Sequence, residues 1–224
     1  RGDRDEALVL LVEELIQQGI GTGNPKDGKD QVIALSVSYG QKHDKEIKAA
    51  IAVAKYYGVE HLFLDLSKIF QYSNCSLLQQ STEDIPEESY AEQISKTNGD
   101  NGKHNVPFRN GLFLSSAASI ALSKDCEVIY YGAHADDSAG FAYPDCSPVF
   151  NRAMNEANGK VPDISLKEAP FVNVSKAEVV RIGLELGVPY ELTGPGYEGG
   201  ENLAENAEHA LTCSGISGKP YGRS

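Results

Sequence analysis

Residues 31–66 read QVIALSVSYGQKHDKEIKAAIAVAKYYGVEHLFLDL, and the hydrophobic rhythm changes twice within them. Residues 31–37 are apolar and β-branched, as a buried strand requires. Over 43–57, Ile47, Ala50, Ile51 and Ala54 recur at helical spacing, and Gly58 follows as a stop. Residues 61–66 turn apolar again. Strand, helix, strand is the grammar of a parallel pair with a right-handed crossover. The stretch predicts an α/β fold built on a doubly wound parallel sheet.

The flanks extend that grammar. Residues 5–18 carry Leu8, Leu11, Val12, Leu15 and Ile16 at helical spacing, although ALVLL within them also suits a buried strand. Residues 19–29 read as a flexible stretch. Residues 73–106 are polar and without clear period, the signature of a lid, a binding loop or disorder. A helix is expected over 109–122, with small residues 115–119 on one side for close packing on a sheet. A strand is expected over 127–131 and a helix over 147–157. Over 175–186 the helix signals are best: Ser175 with Glu178 forms a capping box, and Gly187 ends it. The strands at 31–37, 61–66 and 127–131 should lie parallel in one sheet. Residues 1–193 form the α/β domain in this reading, and 194–224 a small, Gly-rich, irregular tail.

Composition narrows the classes of function. The chain has 224 residues, 41% of them hydrophobic, enough for one sizeable core. Twenty basic residues against 32 acidic ones give a net charge of −12. No basic stripe is present to neutralise phosphates, so a nucleic-acid partner is not expected. No apolar run nears the ~20 residues of a membrane span, and RGDRDEALVLL lacks the layout of a signal peptide. Cys75, Cys126, Cys146 and Cys213 are far apart with no CxxC pair, which suits a reducing cytoplasm. The glycosylation-like triplets at Asn74 and Asn173 and the opening Arg1-Gly2-Asp3 read as chance. A small-molecule ligand is the expectation.

Three runs hold the chemistry: SVSYGQKHDKE (36–46), PFRNGLFLS (107–115) and YYGAHADDSAGFAYPDC (130–146). Each follows or opens an apolar segment, which puts it at the rim of a parallel sheet, where ligands bind. In the first, the Gly40 turn frees backbone amides; Tyr39 offers a stacking face, and Gln41 and His43 offer donors and acceptors. A plain strand–helix corner, with Asp44 and Glu46 favouring the helix start, explains the run equally well. In the second, Arg109 gives a planar fork for phosphate or carboxylate, and Asn110 can read a heterocycle edge; a surface arginine at a helix start is the plain alternative, and it loses ground because Pro, Phe, Arg and Asn adjoin a small-residue helix. In the third, Asp136, Asp137 and Asp145 gather with Tyr143, able to hold a cation or to accept from the N–H groups of a purine-like ring, or simply to be solvated. Cys146 is read as a small buried residue rather than a nucleophile. GNPKDGK (23–29) nearly spells a phosphate-binding loop, but Asp30 stands where Ser or Thr should, and a strand follows where a helix should, so it reads as a surface turn.

Taken in order, SYGQKHDKE, PFRNGLFLS, GAHADDSAGFAYPDC, SKAEVVRIGLELGVPYELT and YEGGE resemble the 7-cyano-7-deazaguanine synthase family of ATP-pyrophosphatase-type enzymes, over about residues 31–200. The resemblance implies an adenine nucleotide alpha hydrolase-like, Rossmann-like fold. It also implies a cytoplasmic homodimer and an ATP-dependent ligase of queuosine biosynthesis, making a 7-deazapurine nitrile from 7-carboxy-7-deazaguanine, ammonia and ATP. It places Ser36, Tyr39, Gln41, Arg109, Asn110 and Gly132 on the nucleotide side, the first three toward the nucleotide and Arg109 and Asn110 near phosphates. Asp136, Asp137, Tyr143 and Asp145 would face the deazaguanine, and Lys176 a phosphate or carboxylate. It names no catalytic nucleophile; the chemistry would rest on positioning and charge stabilisation.

The chain departs from the family at both ends. ALVLL is followed by VEELIQQGIGTG, with acidic Glu13 and Glu14, where the family has a Ser-Gly-Gly-x-Asp-Ser phosphate loop. The family binds one zinc per subunit through a Cys-rich knuckle near YEGGE; here Cys213 is the only thiol of that region, and one thiol cannot fill a tetrahedral site. The loop before PFRN, at 102–106, is also altered. These departures predict no zinc ligand set, zinc well below one per chain, weak ATP binding and poor turnover, with the base pocket kept. They leave a second reading open, a non-catalytic or altered relative that retains the fold and base pocket.

Overall fold

The computed structural model describes residues 32–42, 45–82, 106–126, 128–138, 143–158, 165–189 and 192. Strand β1 (Ile33–Ser38) leads through helix α1 (Lys45–Tyr57) to strand β2 (Glu60–Asp65). The two strands pair in parallel, from Ile33 opposite Glu60 to Ser38 opposite Asp65. Helix α1 buries Ala49, Val53 and Ala54. It ends where Gly58 takes a left-handed φ of 67° and the Val59 N–H reaches back to the Ala54 carbonyl at 3.0 Å. The expected βαβ unit is therefore present, its edges moved by one or two residues.

A short helix α2 (Ser67–Phe70) follows, then the stretch expected to be a lid or loop. Its first part is instead core. Cys75, Ser76, Leu77 and Leu78 are buried, and Leu78 forms an antiparallel bridge with Gln41. The Lys42 N–H donates to the Leu77 carbonyl at 2.9 Å and the Gln79 N–H to the Gly40 carbonyl at 2.8 Å. The reason lies in the residues: CSLL is an apolar island in a polar run, and it clusters with Phe70 and Val106 against Tyr39, Leu112 and Phe113.

Helix α3 (Arg109–Ser123) buries Leu114, Ala118 and Ala121; Ala118 and Ala121 pack against Cys126 and Ile129. Ser115 and Ser119 are exposed, so the buried stripe is not the 115–119 run expected from small residues. Strand β3 (Val128–Tyr130), helix α4 (Ala135–Ser138), a 3-10 turn (Pro144–Cys146), helix α5 (Pro148–Asn158), strand β4 (Ser165–Glu168) and helix α6 (Lys176–Leu186) complete the described chain. At the start of α6 the Ser175 hydroxyl accepts the Glu178 N–H at 3.3 Å. The reciprocal half of the capping box is replaced, because the Glu178 carboxylate takes Arg181 at 3.0 and 2.5 Å.

β3 and β4 pair in parallel. The expectation of 31–37, 61–66 and 127–131 in one sheet is not met among the described residues, where β1–β2 and β3–β4 are separate two-stranded ladders. In a doubly wound sheet the first strand of the chain lies between the second and the fourth. ALVLL, read as part of a helix or alternatively as a buried strand, lies outside the described residues. The two halves nonetheless share a core. Val53 of α1 clusters with Phe171, Val179 and Val188, and Tyr57 and Tyr130 pack against them. Among the described residues both strand pairs are parallel and linked through helices, the α/β class expected. Among the described residues no helix is long and apolar enough to cross a membrane, and Cys75, Cys126 and Cys146 are in no disulfide.

Candidate active site

Helix α3 begins without its own cap. Phe108, the residue before it, has a left-handed φ of 50° and makes no side-chain cap bond. A bulky residue in that region is uncommon. Gly111 makes room for it, since a Cβ there would overlap the Phe108 ring. The ring lies largely exposed, edge-on to Phe150 of α5 at 6.2 Å. The missing cap is supplied from 35 residues away: the Asn110 N–H donates to Asp145 Oδ2 at 3.0 Å. A carboxylate at a helix N-terminus also meets the positive end of the macrodipole. Asn110 Nδ2 donates to the Asp145 carbonyl at 3.1 Å and to Cys146 Sγ at 3.1 Å. The 3-10 turn is thereby fastened to the first turn of α3.

Arg109 leaves the same turn in the other direction. Its Nη1 donates to the Tyr39 hydroxyl at 3.2 Å, and its Cζ lies 5.1 Å from the Tyr39 ring centroid. Tyr39 sits just past the carboxyl end of β1, wedged by Phe70 and Phe113 at 6.2 and 5.8 Å. The contact is a cation resting on an aromatic ring. Arg109 Nε is buried with no hydrogen-bond partner, and no carboxylate among the described residues pairs with the guanidinium. A string of contacts, Tyr39–Arg109–Asn110–Asp145, thus joins the carboxyl end of β1 to the turn that follows β3.

The sequence-predicted residues separate into groups. Tyr39, Arg109, Asn110 and Asp145 come together. Asp136 is exposed on α4, which packs against the turn that holds Asp145. Asp137 lies on the same helix, and Gly132 is half-buried between β3 and α4. Gln41 is buried and spends its Oε1 on the Tyr39 N–H at 3.0 Å, closing the Gly40 turn. Ser36 lies within β1, and its hydroxyl meets His61 Nε2 of β2 at 2.9 Å rather than the rim. Tyr143 is a core residue, clustered with Ala133, Cys146, Ala169 and Val172. Lys176 opens α6. Cys146 is 1% exposed, as expected of a structural thiol. His43, Asp44, Glu13, Glu14, the 23–29 turn and Cys213 lie outside the described residues.

Tyr131 escaped the sequence reading. It packs against the Tyr143–Cys146 cluster, and its hydroxyl is buried without a hydrogen-bond partner. Burial first, then the charges of Cys146 and Asp145, hold its phenol well above the ordinary value of 10.0. Its one sequence signal was its place as the last residue before the Gly132 turn.

A family model described as queuosine biosynthesis protein QueC matches residues 24–216. The chain is 40% identical over 179 residues to the 7-cyano-7-deazaguanine synthase of Archaeoglobus fulgidus, covering 78% of this chain and 70% of that one. It is 38% identical over 204 residues to the synthase of Oceanobacillus iheyensis, covering 88% and 86%. With the synthase of Thermoplasma acidophilum it shares 37% over 188 residues, 81% of this chain and 74% of that one. A solved structure of a U34-tRNA thiolase from Methanococcus maripaludis superposes with a TM-score of 0.47 at 15% identity, over 95% of this chain and 63% of that one.

Proposed function

The chain belongs to the QueC family of queuosine biosynthesis proteins, and we propose that it is the ligase that converts 7-carboxy-7-deazaguanine, ammonia and ATP to 7-cyano-7-deazaguanine. The observation that supports this beyond the family is Arg109. A guanidinium seated on Tyr39, with a buried Nε and no carboxylate partner among the described residues, is a receptor built for an anion.

The reaction divides into two activations. A carboxylate oxygen of the substrate attacks the α-phosphorus of ATP and pyrophosphate leaves. Ammonia displaces AMP to give the amide, and AMP keeps the carboxylate oxygen. The amide oxygen is activated in the same way, and its departure with AMP leaves the nitrile. Each step builds negative charge on phosphate oxygens. Arg109 answers that charge with fixed donors, and Tyr39 holds the guanidinium plane without neutralising it. Asp136, exposed on α4, would accept from ring N–H groups.

Among the described residues no three His, Cys, Asp or Glu side chains gather to hold a metal; the region around YEGGE and Cys213, where the resemblance puts the family's zinc ligands, lies outside them. A homodimer and a cytoplasmic setting rest on the resemblance alone, and no observation favours the non-catalytic reading. Calorimetry with each ligand separately tests the proposal. The acid should bind saturably and ATP should bind more weakly than the acid, as the unrecognised phosphate loop predicts, and Arg109→Ala should weaken ATP about tenfold or more again while sparing the deazapurine. Absence of deazapurine binding by the unmodified protein would overturn it.

A further inference from the structure

Resting on the ligase reading, we propose that Asp145 and Asn110 are positioning residues: a clasp that holds Arg109 over Tyr39 and serves the nucleotide half of the reaction without touching either substrate. The sequence alone gives both residues the look of ligands. Their hydrogen-bonding capacity says otherwise. A carboxamide nitrogen has two donors, and Asn110 Nδ2 makes two bonds, to the Asp145 carbonyl and to Cys146 Sγ, both at 3.1 Å. Asn110 is 7% exposed and Cys146 1%. No donor of the Asn110 side chain remains for a heterocycle edge. Asp145 Oδ2 accepts the Asn110 backbone N–H, which turns that oxygen toward the helix start.

What the clasp fixes is the first turn of α3. That turn has a left-handed Phe108 in place of a capping residue, so its direction depends on the carboxylate that reaches it from the 3-10 turn. Arg109 is its first residue. Turning the helix start by a fraction of a turn would lift the guanidinium from Tyr39, to whose hydroxyl Nη1 donates at 3.2 Å. The Phe108 ring over Gly111 closes the outer side of the same turn.

The test reads both substrates. In Asp145→Ala the KM for ATP should rise about tenfold, while the Kd of 7-carboxy-7-deazaguanine stays within about twofold. Asp145→Asn keeps an acceptor oxygen and loses the charge, so it should recover part of the ATP affinity. It also carries the same two readouts if the alanine variant fails to fold. Arg109→Lys should weaken ATP in the same direction, and the double variant Arg109→Lys, Asp145→Asn should be little worse than the more severe single, because the two act through one contact. A tenfold loss of deazapurine affinity with ATP unchanged would make Asp145 a direct ligand and overturn the clasp, as would additive losses in the double variant. If the unmodified protein fails to bind the deazapurine, the ligase reading fails; ATP titrations of the same variants still decide the clasp.

Discussion

Replacing Tyr131 with Phe removes one oxygen atom and nothing else. In most buried tyrosines that change is costly, because the hydroxyl has a partner to lose. Here the hydroxyl has none, and the ring packs among Ala133, Tyr143, Cys146, Ala169 and Val172, all of which Phe can still touch. A buried polar group left without a bond costs about 1–3 kcal/mol. Allowing for the small void left behind, Tyr131→Phe should stabilise the fold by about 1 kcal/mol, or roughly 2–4 °C in Tm for a chain of this size. The effect should grow with alkalinity. Burial raises the folded-state phenol above its ordinary 10.0, so the unfolded chain ionises first. The stability tied to this group is whole below pH 10 and drains as pH rises toward the folded value. Urea melts at pH 7 and above pH 10 read both parts. A variant about 1 kcal/mol less stable than the parent at pH 7 would refute the reasoning and show that the hydroxyl is bonded.

Leu78→Ala should cost about 2–5 kcal/mol by urea melting, since Leu78 is fully buried and anchors the strap that closes on Gln41; a loss under 1 kcal/mol would show that the strap is not part of the core. Ser175→Ala should cost about 1 kcal/mol by losing the α6 cap, and, because Glu178 is engaged with Arg181, Glu178→Ala should cost no more than an exposed ion pair does. Lys124→Met should change stability by less than about 1 kcal/mol, because its 2.6 Å pair with Glu60 is about 40% exposed at each end.

The fold was legible where hydrophobic period and stop signals coincide. The 31–66 unit is the clear case, with an alternation of β-branched run, helical stripe and Gly58. Strand β4 was not, because SLKE is four residues long with two charges and has no pattern to distinguish it from a turn. The CSLL strap was hidden by the polar residues on either side of it. In the candidate site, Tyr39 and Arg109 could be named because their chemistry is written in the side chain. The roles of Asn110 and Asp145 could not, since a helix cap drawn from 35 residues away leaves no local trace. Tyr143 and Gln41 look like contact residues by type, and only packing reveals that one is core and the other closes a turn. Tyr131 reads as an ordinary strand end until its hydroxyl is seen to lack a partner.

The central claim is that this rim activates a deazapurine carboxylate with ATP. Incubating the purified chain with 7-carboxy-7-deazaguanine, ammonia and ATP, and following products by mass spectrometry, tests it most directly. The account predicts 7-cyano-7-deazaguanine only when all three are present, with two AMP and two pyrophosphate formed per nitrile, and loss of product in Arg109→Ala. Deazapurine that binds but is never adenylated, amidated or dehydrated by the unmodified chain would contradict it.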